Sequence, residues 1–227
     1  MSPITSRHRR QGIPEWLGRL LAGVLRLLAA TWSVTPREGV GLRNETGNPL
    51  LVGFWHGKYF PLLPLLGGAG GAVLIGEGVR GRMIGAICRS FGSTPVFLPH
   101  GDRARAIARI RDALRDFPLC ATPLDGPRGP ARRPKPALIQ VASEVGASIL
   151  PVSVQVTPNW VWRWRWDQRE IPLPFASVVL VTGTPIACPL DASGATLEAW
   201  GHQVASALDE LGCRPPPSLQ PPASDAH

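Results

Sequence analysis

The chain has 227 residues, of which 44% are hydrophobic, a composition typical of a folded protein with one sizeable core and not of a disordered segment. Its formal net charge is +8, and all but two of its 24 basic residues are arginines, which favours anionic partners such as phosphates, nucleic acid or an anionic membrane surface. The four cysteines lack the paired spacing of a zinc site, and no nucleotide-binding or serine-hydrolase motif occurs, so the sequence predicts neither a metal nor a bound cofactor.

The first predicted element is an amphipathic helix that begins at Pro14 and ends near Ser33. On a helical wheel its large apolar side chains fall on one half, and its two arginines fall on the other half among glycines and alanines. The stretch is shorter and more charged than a membrane-spanning helix, so we expect it to lie in a membrane interface, with packing on the protein's own core as the alternative. The apolar half consists of Trp16, Leu17, Leu20, Leu21, Val24, Leu25, Leu27, Leu28 and Trp32.

The sequence is divided into an N-terminal membrane-interface segment, residues 1–35, a main domain, residues 36–213, and a disordered proline-rich tail, residues 214–227. Within the main domain, short apolar runs alternate with helical patterns. This alternation predicts an α/β fold with a mainly parallel central sheet flanked by helices. The predicted strands cover residues 50–55, 72–75, 94–98, 119–122, 148–156 and 177–182, and the predicted helices cover residues 83–91, 103–117, 137–145 and 194–211.

The histidine of the stretch LVGFWHGKYF directly follows the first strand of this domain. Open α/β sheets bind ligands beyond the carboxyl ends of their strands, and histidine is the side chain most often used as a general base near neutral pH. His56 is therefore a candidate catalytic base, and Lys58 is a candidate for substrate binding. A packed or capping histidine without chemistry is the alternative.

A second polar stretch, DGPRGPARRPK, follows the predicted strand at residues 119–122. Gly126 permits a tight turn and a close backbone approach, and Pro127 stiffens the loop. Arg128 brings a planar fork of donors that is suited to a phosphate or carboxylate, while Asp125 shapes the loop. The stretch is a candidate anion-binding loop, with a solvated basic loop as the alternative.

The stretch NWVWRWRWDQ, residues 159–168, breaks the strand–helix alternation. As a strand it would place Trp160, Trp162, Trp164 and Trp166 on one face and its charged residues on the other. Such a face is typical either of a tryptophan-rich core or of a belt in the lipid headgroup region.

Several of these motifs together resemble a bacterial lysophospholipid-acyltransferase-like family, formerly catalogued as a domain of unknown function, within the glycerolipid acyltransferase superfamily. The resemblance spans roughly residues 40–187. By order and spacing, His56 corresponds to the histidine block of the superfamily, residues 125–128 to its Glu-Gly-Thr-Arg block, and residues 150–152 to its Val-Pro block. The motifs are FWHG at 54–57, TPLDGPRGP at 122–130, SILPVSV at 148–154, WDQREIPLPF at 166–175 and VTGTPI at 181–186.

This resemblance implies an acyltransferase at the cytoplasmic face of the cell membrane, held there peripherally. The implied reaction moves an acyl group from a thioester donor, acyl-CoA or acyl-carrier protein, to a hydroxyl of a lysophospholipid-like acceptor. His56 is then the general base, and Arg128 binds the phosphate of the acceptor in a loop shaped by Asp125. No tightly bound cofactor or metal is implied, and no nucleic-acid partner is expected, because the arginines are spread over several elements without a reading motif.

One position departs from the superfamily and concerns the orientation of the histidine. The superfamily carries an Asp five residues after its His, and this sequence carries Pro61 there. Another carboxylate is therefore needed, and the candidates at strand ends are Glu77, Asp102 and Asp125. We predict that Glu77 pairs with His56, because consecutive strands are often neighbours in such sheets. A catalytically degenerate lipid-binding protein on the same fold is the alternative function.

Overall fold

The computed structural model describes residues 15–36, 47–67, 70–190 and 192–213. The basic segment 1–13 and the predicted proline-rich tail 214–227 lie outside the described residues. In chain order, the helices are α1 (Glu15–Ala30), α2 (Tyr59–Leu66), α3 (Val79–Ser90), α4 (Arg103–Asp116), α5 (Pro136–Glu144) and α6 (Gly194–Cys213). The strands are β1 (Ser33–Pro36), β2 (Leu50–Phe54), β3 (Ala72–Gly76), β4 (Thr94–Leu98), β5 (Leu119–Pro123), β6 (Ser148–Trp162), β7 (Arg169–Thr182) and β8 (Ile186–Ala187).

The strands of the described residues form one sheet in the order β1-β7-β6-β2-β5-β3-β4, and β8 also pairs with β6. Strands β2 to β5 pair in parallel with one another, as β2 does with β6, and only β6 pairs antiparallel, with β7 and β8. This arrangement confirms the predicted α/β class with a mainly parallel sheet. The strand order also places β5 between β2 and β3, so β2 and β3 follow each other in the chain but are not neighbours in the sheet.

The sheet has a hydrophobic core on each of its two faces, which is why β2 consists of apolar residues and glycine throughout. Leu51 points to the face covered by α4, α5 and α6, where Leu114, Ile139 and Val204 pack. Leu50, Val52 and Phe54 point to the other face, which is covered by α1 and α2. The central strand therefore ends in a position enclosed on both sides, and His56 comes directly after it.

The largest boundary differences from the sequence prediction have causes in tertiary packing, among them the start of β7 at Arg169, eight residues before the predicted start at residue 177. Strand β6 continues past residue 156 to Trp162, because it pairs with β7 along almost its whole length. Helix α3 begins at Val79, four residues before the predicted start, despite the glycines at 81 and 85. Packing of α3 on α1 and on β4 outweighs the low helix propensity of those glycines.

Helix α1 packs on α3 through its small residues and not through its large ones. Gly18 lies against Ala86 of α3, and Ala22 and Leu25 are buried in the core. The large apolar side chains Trp16, Leu20, Leu21, Val24 and Leu27 are exposed, with Leu27 75% exposed. The helical wheel therefore identified the outward apolar face, but it assigned Leu25 and Trp32 to that face when both are buried in the core. None of the helices in the described ranges combines the length and the apolar character needed to cross a bilayer.

Candidate functional site

His56 opens a short 3-10 turn, His56–Lys58, that connects β2 to α2. Its backbone N–H donates to Oδ1 of Asp125 over 2.9 Å, and Asp125 comes from the loop that follows the neighbouring strand β5. The other oxygen of Asp125 accepts from the backbone N–H of Arg132 at 3.3 Å. Asp125 therefore fixes the main chain of His56 and the shape of its own loop at once.

The ring of His56 is held by a different carboxylate, that of Asp167. The Nδ1 atom of His56 lies 2.8 Å from Oδ2 of Asp167, whose side chain is fully buried in the turn between β6 and β7. Arg165 donates to both oxygens of Asp167, at 2.9 and 3.3 Å, and Arg169 donates to Oδ2 at 3.2 Å. An ionised Asp167 makes Nδ1 the protonated nitrogen of a neutral ring, so that Nε2 carries the lone pair.

The prediction that Glu77 pairs with the ring of His56 is wrong, because Asp167 occupies that position. The physical reason is the strand order. With β5 inserted between them, β2 and β3 lie two strand spacings apart, about 9.5 Å, so the residue after β3 is not beside the residue after β2. Glu77 lines the same cavity as His56. The sequence did carry a signal for Asp167, since it is a carboxylate among arginines inside the WDQREIPLPF motif. The contact was not predicted because 111 residues separate Asp167 from His56.

Burial and the surrounding charges give the three ionisable groups different pKa values. Burial between the rings of Tyr59 and Trp166, whose centroids each lie 5.2 Å away, lowers the pKa of His56, although the Asp167 hydrogen bond opposes this. Burial raises the pKa of Asp125 to about 6, since only backbone N–H groups compensate its charge. Burial alone would also raise the pKa of Asp167. Hydrogen bonds from Arg165 and His56 and the charge of Arg169 outweigh the effect of burial, so the pKa of Asp167 is lowered. At neutral pH His56 is thus neutral and Asp167 ionised.

Two glycines allow the β6–β7 turn to reach His56. A Cβ atom on Gly57 would clash with the backbone carbonyl of Asp167. A Cβ atom on Gly129, which has a φ of 63°, would lie 2.6 Å from the Trp166 ring. Gly57 of FWHG and Gly129 of DGPRGP therefore allow the β6–β7 turn to approach His56 closely. This requirement explains why these two motifs occur together with the WDQ motif of the turn.

The other predicted binding residues divide into two groups. Gly126, Pro127 and Arg128 line the cavity beside His56, and the Arg128 side chain is exposed. Lys58 is not among the residues that line the cavity, and its Nζ forms an ion pair with Glu170 of β7 at 2.5 Å. Lys135, from the end of the predicted anion-binding loop, also lines the cavity, and the sequence analysis missed the further cations Arg80, Arg165 and Arg169 on its wall.

The cavity itself is large and mostly apolar, with a volume of about 1070 Å³. Its walls come from α2, β3, α3 and the start of α5, together with the segments that follow the parallel strands. Apolar lining residues include Leu62, Leu66, Ile75, Met83, Ile84 and Leu138. Within the described ranges, no cluster of three or more His, Cys, Asp or Glu side chains could hold a metal ion.

Comparisons with known proteins agree with this architecture. No family model matches the chain. An uncharacterized protein of Rickettsia prowazekii is 25% identical over 154 residues, which cover 65% of this chain and 67% of that protein. The crystal structure of the 1-acyl-sn-glycerophosphate (LPA) acyltransferase PlsC from Thermotoga maritima is similar with a TM-score of 0.54 and 22% identity, over 89% of this chain and 79% of that one. The chain therefore has an acyltransferase-like fold.

Proposed function

We propose that the protein is an acyltransferase that moves an acyl group from a thioester donor, acyl-CoA or acyl-carrier protein, to a hydroxyl of a lysophospholipid-like acceptor at the membrane. The observation that carries this proposal is the His56–Asp167 pair on the wall of a large apolar cavity. A neutral imidazole anchored through Nδ1 is a competent general base, and an apolar cavity is a suitable environment for an acyl chain. The acyltransferase-like fold adds support.

In the proposed reaction, Nε2 of His56 accepts the proton of the acceptor hydroxyl while the hydroxyl oxygen attacks the thioester carbonyl carbon. The tetrahedral intermediate then collapses with cleavage of the C–S bond, and the departing thiolate takes the proton back from Nε2. Asp167 keeps the ring in the required tautomer and stabilises the transient imidazolium. Asp167 is thus a positioning residue, and His56 is the catalytic one.

The cations on the cavity wall support an acceptor that carries a phosphate. Arg128 offers a planar fork of donors from the DGPRGP loop, and Lys135 and Arg169 add positive charge on the same wall. Arg165 and Arg169 are partly engaged by Asp167, whereas Arg128 is exposed. We therefore assign the acceptor phosphate to Arg128, with Gly126 and Pro127 setting the loop.

We further propose a peripheral location on the cytoplasmic face of the cell membrane. Helix α1 exposes a row of large apolar side chains, among them Trp16, Leu20, Val24 and Leu27. A helix with one such face lies stably in the boundary between headgroups and acyl chains. The net charge of +8 adds attraction to anionic lipids.

A catalytically degenerate lipid-binding protein is the alternative function. The sequence raised this alternative because Pro61 replaces the Asp that orients the superfamily's histidine. Asp167 supplies a carboxylate to the same ring from another part of the chain, and this weakens the argument for degeneracy.

The test is an assay of acyl transfer by the purified full chain, with isotope-labelled acyl-CoA and lysophosphatidic acid in detergent micelles. His56→Ala should lower kcat by about 10²–10⁴-fold, the share usual for a general base. His202→Ala is the matched control, since His202 is exposed on α6 away from the cavity. Unchanged activity of His56→Ala would contradict the mechanism. Binding of lipid by the wild type without any transfer would favour the lipid-binding alternative.

A further inference from the structure

The β6–β7 hairpin exposes an unusual set of large apolar side chains at its outer end. The sequence placed four tryptophans of this stretch on one strand face, but β6 ends at Trp162 and the chain turns over residues 163–168. Trp166 turns inward against His56, whereas Trp164 in the turn is 92% exposed. Trp160 and Trp162 are exposed on β6 with ring centroids 5.7 Å apart. The tryptophans outside the site are therefore not a core face.

The exposed set continues onto β7. Trp160 lies directly opposite Ile171 in the antiparallel ladder, so Ile171 and Leu173, two residues further on, share its face of the hairpin. Leu173 is exposed as well. We call this surface, formed by Trp160, Trp162, Trp164 and Leu173, the tryptophan patch.

The tryptophan patch runs toward the exposed face of α1. Phe175, two residues after Leu173, is 80% exposed and donates its backbone N–H to the Thr31 hydroxyl at 3.1 Å. Thr31 directly follows α1, and β1 then pairs with β7. Two apolar surfaces that come from distant parts of the sequence are thus joined through Phe175.

Cationic side chains accompany the tryptophan patch. Arg163 is exposed in the turn, and the guanidinium of Arg165 lies 5.7 Å from the Trp162 ring centroid. Tryptophan is favoured at the headgroup level of a bilayer because its ring has an apolar body and a polar N–H. Arginine beside it reaches the phosphates of anionic lipids while its stem stays in apolar surroundings. The combination is complementary to an anionic bilayer.

We infer that the tryptophan patch is a second membrane contact that binds an anionic phospholipid bilayer together with α1. The inference rests on the proposed function, since an acceptor that resides in the bilayer must reach His56. The same turn that inserts Trp164 into the headgroups carries Asp167 to the ring of His56. Helix α1 and the tryptophan patch, one on each side of Phe175, would together fix the orientation of the cavity relative to the bilayer. A single helix lying in the membrane surface does not fix this orientation.

The test is flotation of the full chain with vesicles of phosphatidylglycerol and phosphatidylethanolamine, and separately with phosphatidylcholine vesicles. Trp164→Ser should weaken partition into the anionic vesicles by about ten-fold, as expected for one large apolar side chain, with partial recovery in Trp164→Phe. Arg163→Gln should weaken binding to the anionic vesicles and leave binding to phosphatidylcholine unchanged. Leu190→Ser is the matched control, because Leu190 is 71% exposed in the segment before α6, away from the hairpin, and should have no effect.

Equal flotation of Trp164→Ser, Leu190→Ser and the wild type would overturn the inference, and so would failure of the wild type to float. A wild-type dimer that Trp164→Ser abolishes, without any change in flotation, would assign the patch to a second copy of the chain and would equally overturn it. Acyl transfer in micelles is measured in a separate assay that needs no vesicles. Failure of the membrane contact can therefore be told apart from failure of the proposed enzymatic function. Flotation as predicted with no transfer by the wild type would reject the enzyme and keep the membrane contact.

Discussion

Two segments meet at His56, and each supplies one buried aspartate. The DGPRGP loop after β5 provides Asp125, which binds the backbone N–H of His56. The turn between β6 and β7 provides Asp167, which binds the ring. Only backbone N–H groups bond to Asp125, and its pKa is raised to about 6, whereas two arginines and the histidine surround Asp167 and its pKa is lowered.

The difference teaches that burial alone does not decide the charge of a carboxylate in this site. Both groups lose solvation, but Asp167 gains two guanidinium partners and stays ionised. The charged carboxylate is the one beside the ring that changes protonation during the proposed reaction. Asp125, the carboxylate that is easily protonated, accepts hydrogen bonds only from backbone N–H groups, and these do not require a full negative charge.

The largest expected effect is that of Asp167→Asn. This change removes the charged anchor of Nδ1, so kcat should fall by about 10²–10⁴-fold. Asp167 also raises the pKa of His56, against the effect of burial, so its loss should lower that pKa further. The acid limb of the kcat/KM profile, which lies below 6.5 in the wild type because His56 must be neutral, should therefore move to still lower pH.

The measurement is kcat/KM across pH for the wild type, Asp167→Asn and the control Asp112→Asn, an exposed aspartate on α4. A lowered kcat with an unmoved acid limb would mean that Asp167 serves only to keep the turn folded. Equal loss in the Asp112 variant would point to a general defect.

An intermediate effect on stability is expected from Asp125→Asn. Its pKa is raised on folding from 3.8 to about 6, so the favourable contribution of Asp125 is full below about pH 4 and is lost as pH rises through about 6. Asn does not titrate, so the destabilisation caused by Asp125→Asn should be smaller at about pH 7.5 than at about pH 4, by about 2 kcal/mol. Denaturant unfolding of both proteins at the two pH values measures this difference. A larger destabilisation at high pH would show that folding favours the charged form, and the contrast with Asp167 would disappear.

The smallest effect concerns the substrate side of the loop. Arg128→Lys keeps the charge but loses the bidentate geometry, so KM for a phosphorylated acceptor should rise by about ten-fold, equivalent to 1.4 kcal/mol. Arg133→Lys is the matched control, an exposed arginine of the same loop that does not line the cavity, and it should leave KM unchanged. Steady-state kinetics at varied acceptor concentration measures KM for the wild type and for both variants. Equal changes in both variants would indicate a diffuse basic surface.

Much of this arrangement could be predicted from local sequence patterns. Alternation of apolar runs and helical patterns gave the α/β class, and the turn residues after β2 and β5 placed His56 and Asp125 at the same edge of the sheet. These features depend on residues close together in the chain. In the structure Phe54 lies beside Pro123, so the segments that follow the two strands start at the same level of the sheet.

The partner of the His56 ring could not be predicted in the same way. The prediction of Glu77 assumed that sequential strands are neighbours, and the chain inserts β5 between them. Strand order depends on the packing of the whole domain and has no local signature. The face of α1 that packs on α3 was missed for a similar reason, because the wheel ranks side chains by hydrophobicity, whereas close packing on α3 selects the small residues Gly18 and Ala22.

The separation of His56 and Asp167 has a consequence for the newly made protein. Ribosomes add roughly 5–20 residues per second, so the 111 residues between the two partners take roughly 6–20 s to synthesise. Asp125 is made 69 residues after His56 and can then hold its main chain, but the imidazole has no anchoring carboxylate until Asp167 follows. In the proposed mechanism, general-base chemistry at this histidine therefore begins only after the β6–β7 turn has emerged and docked. The proposed mechanism predicts that a chain truncated between the basic loop and that turn carries both the histidine and the loop but does not transfer acyl groups.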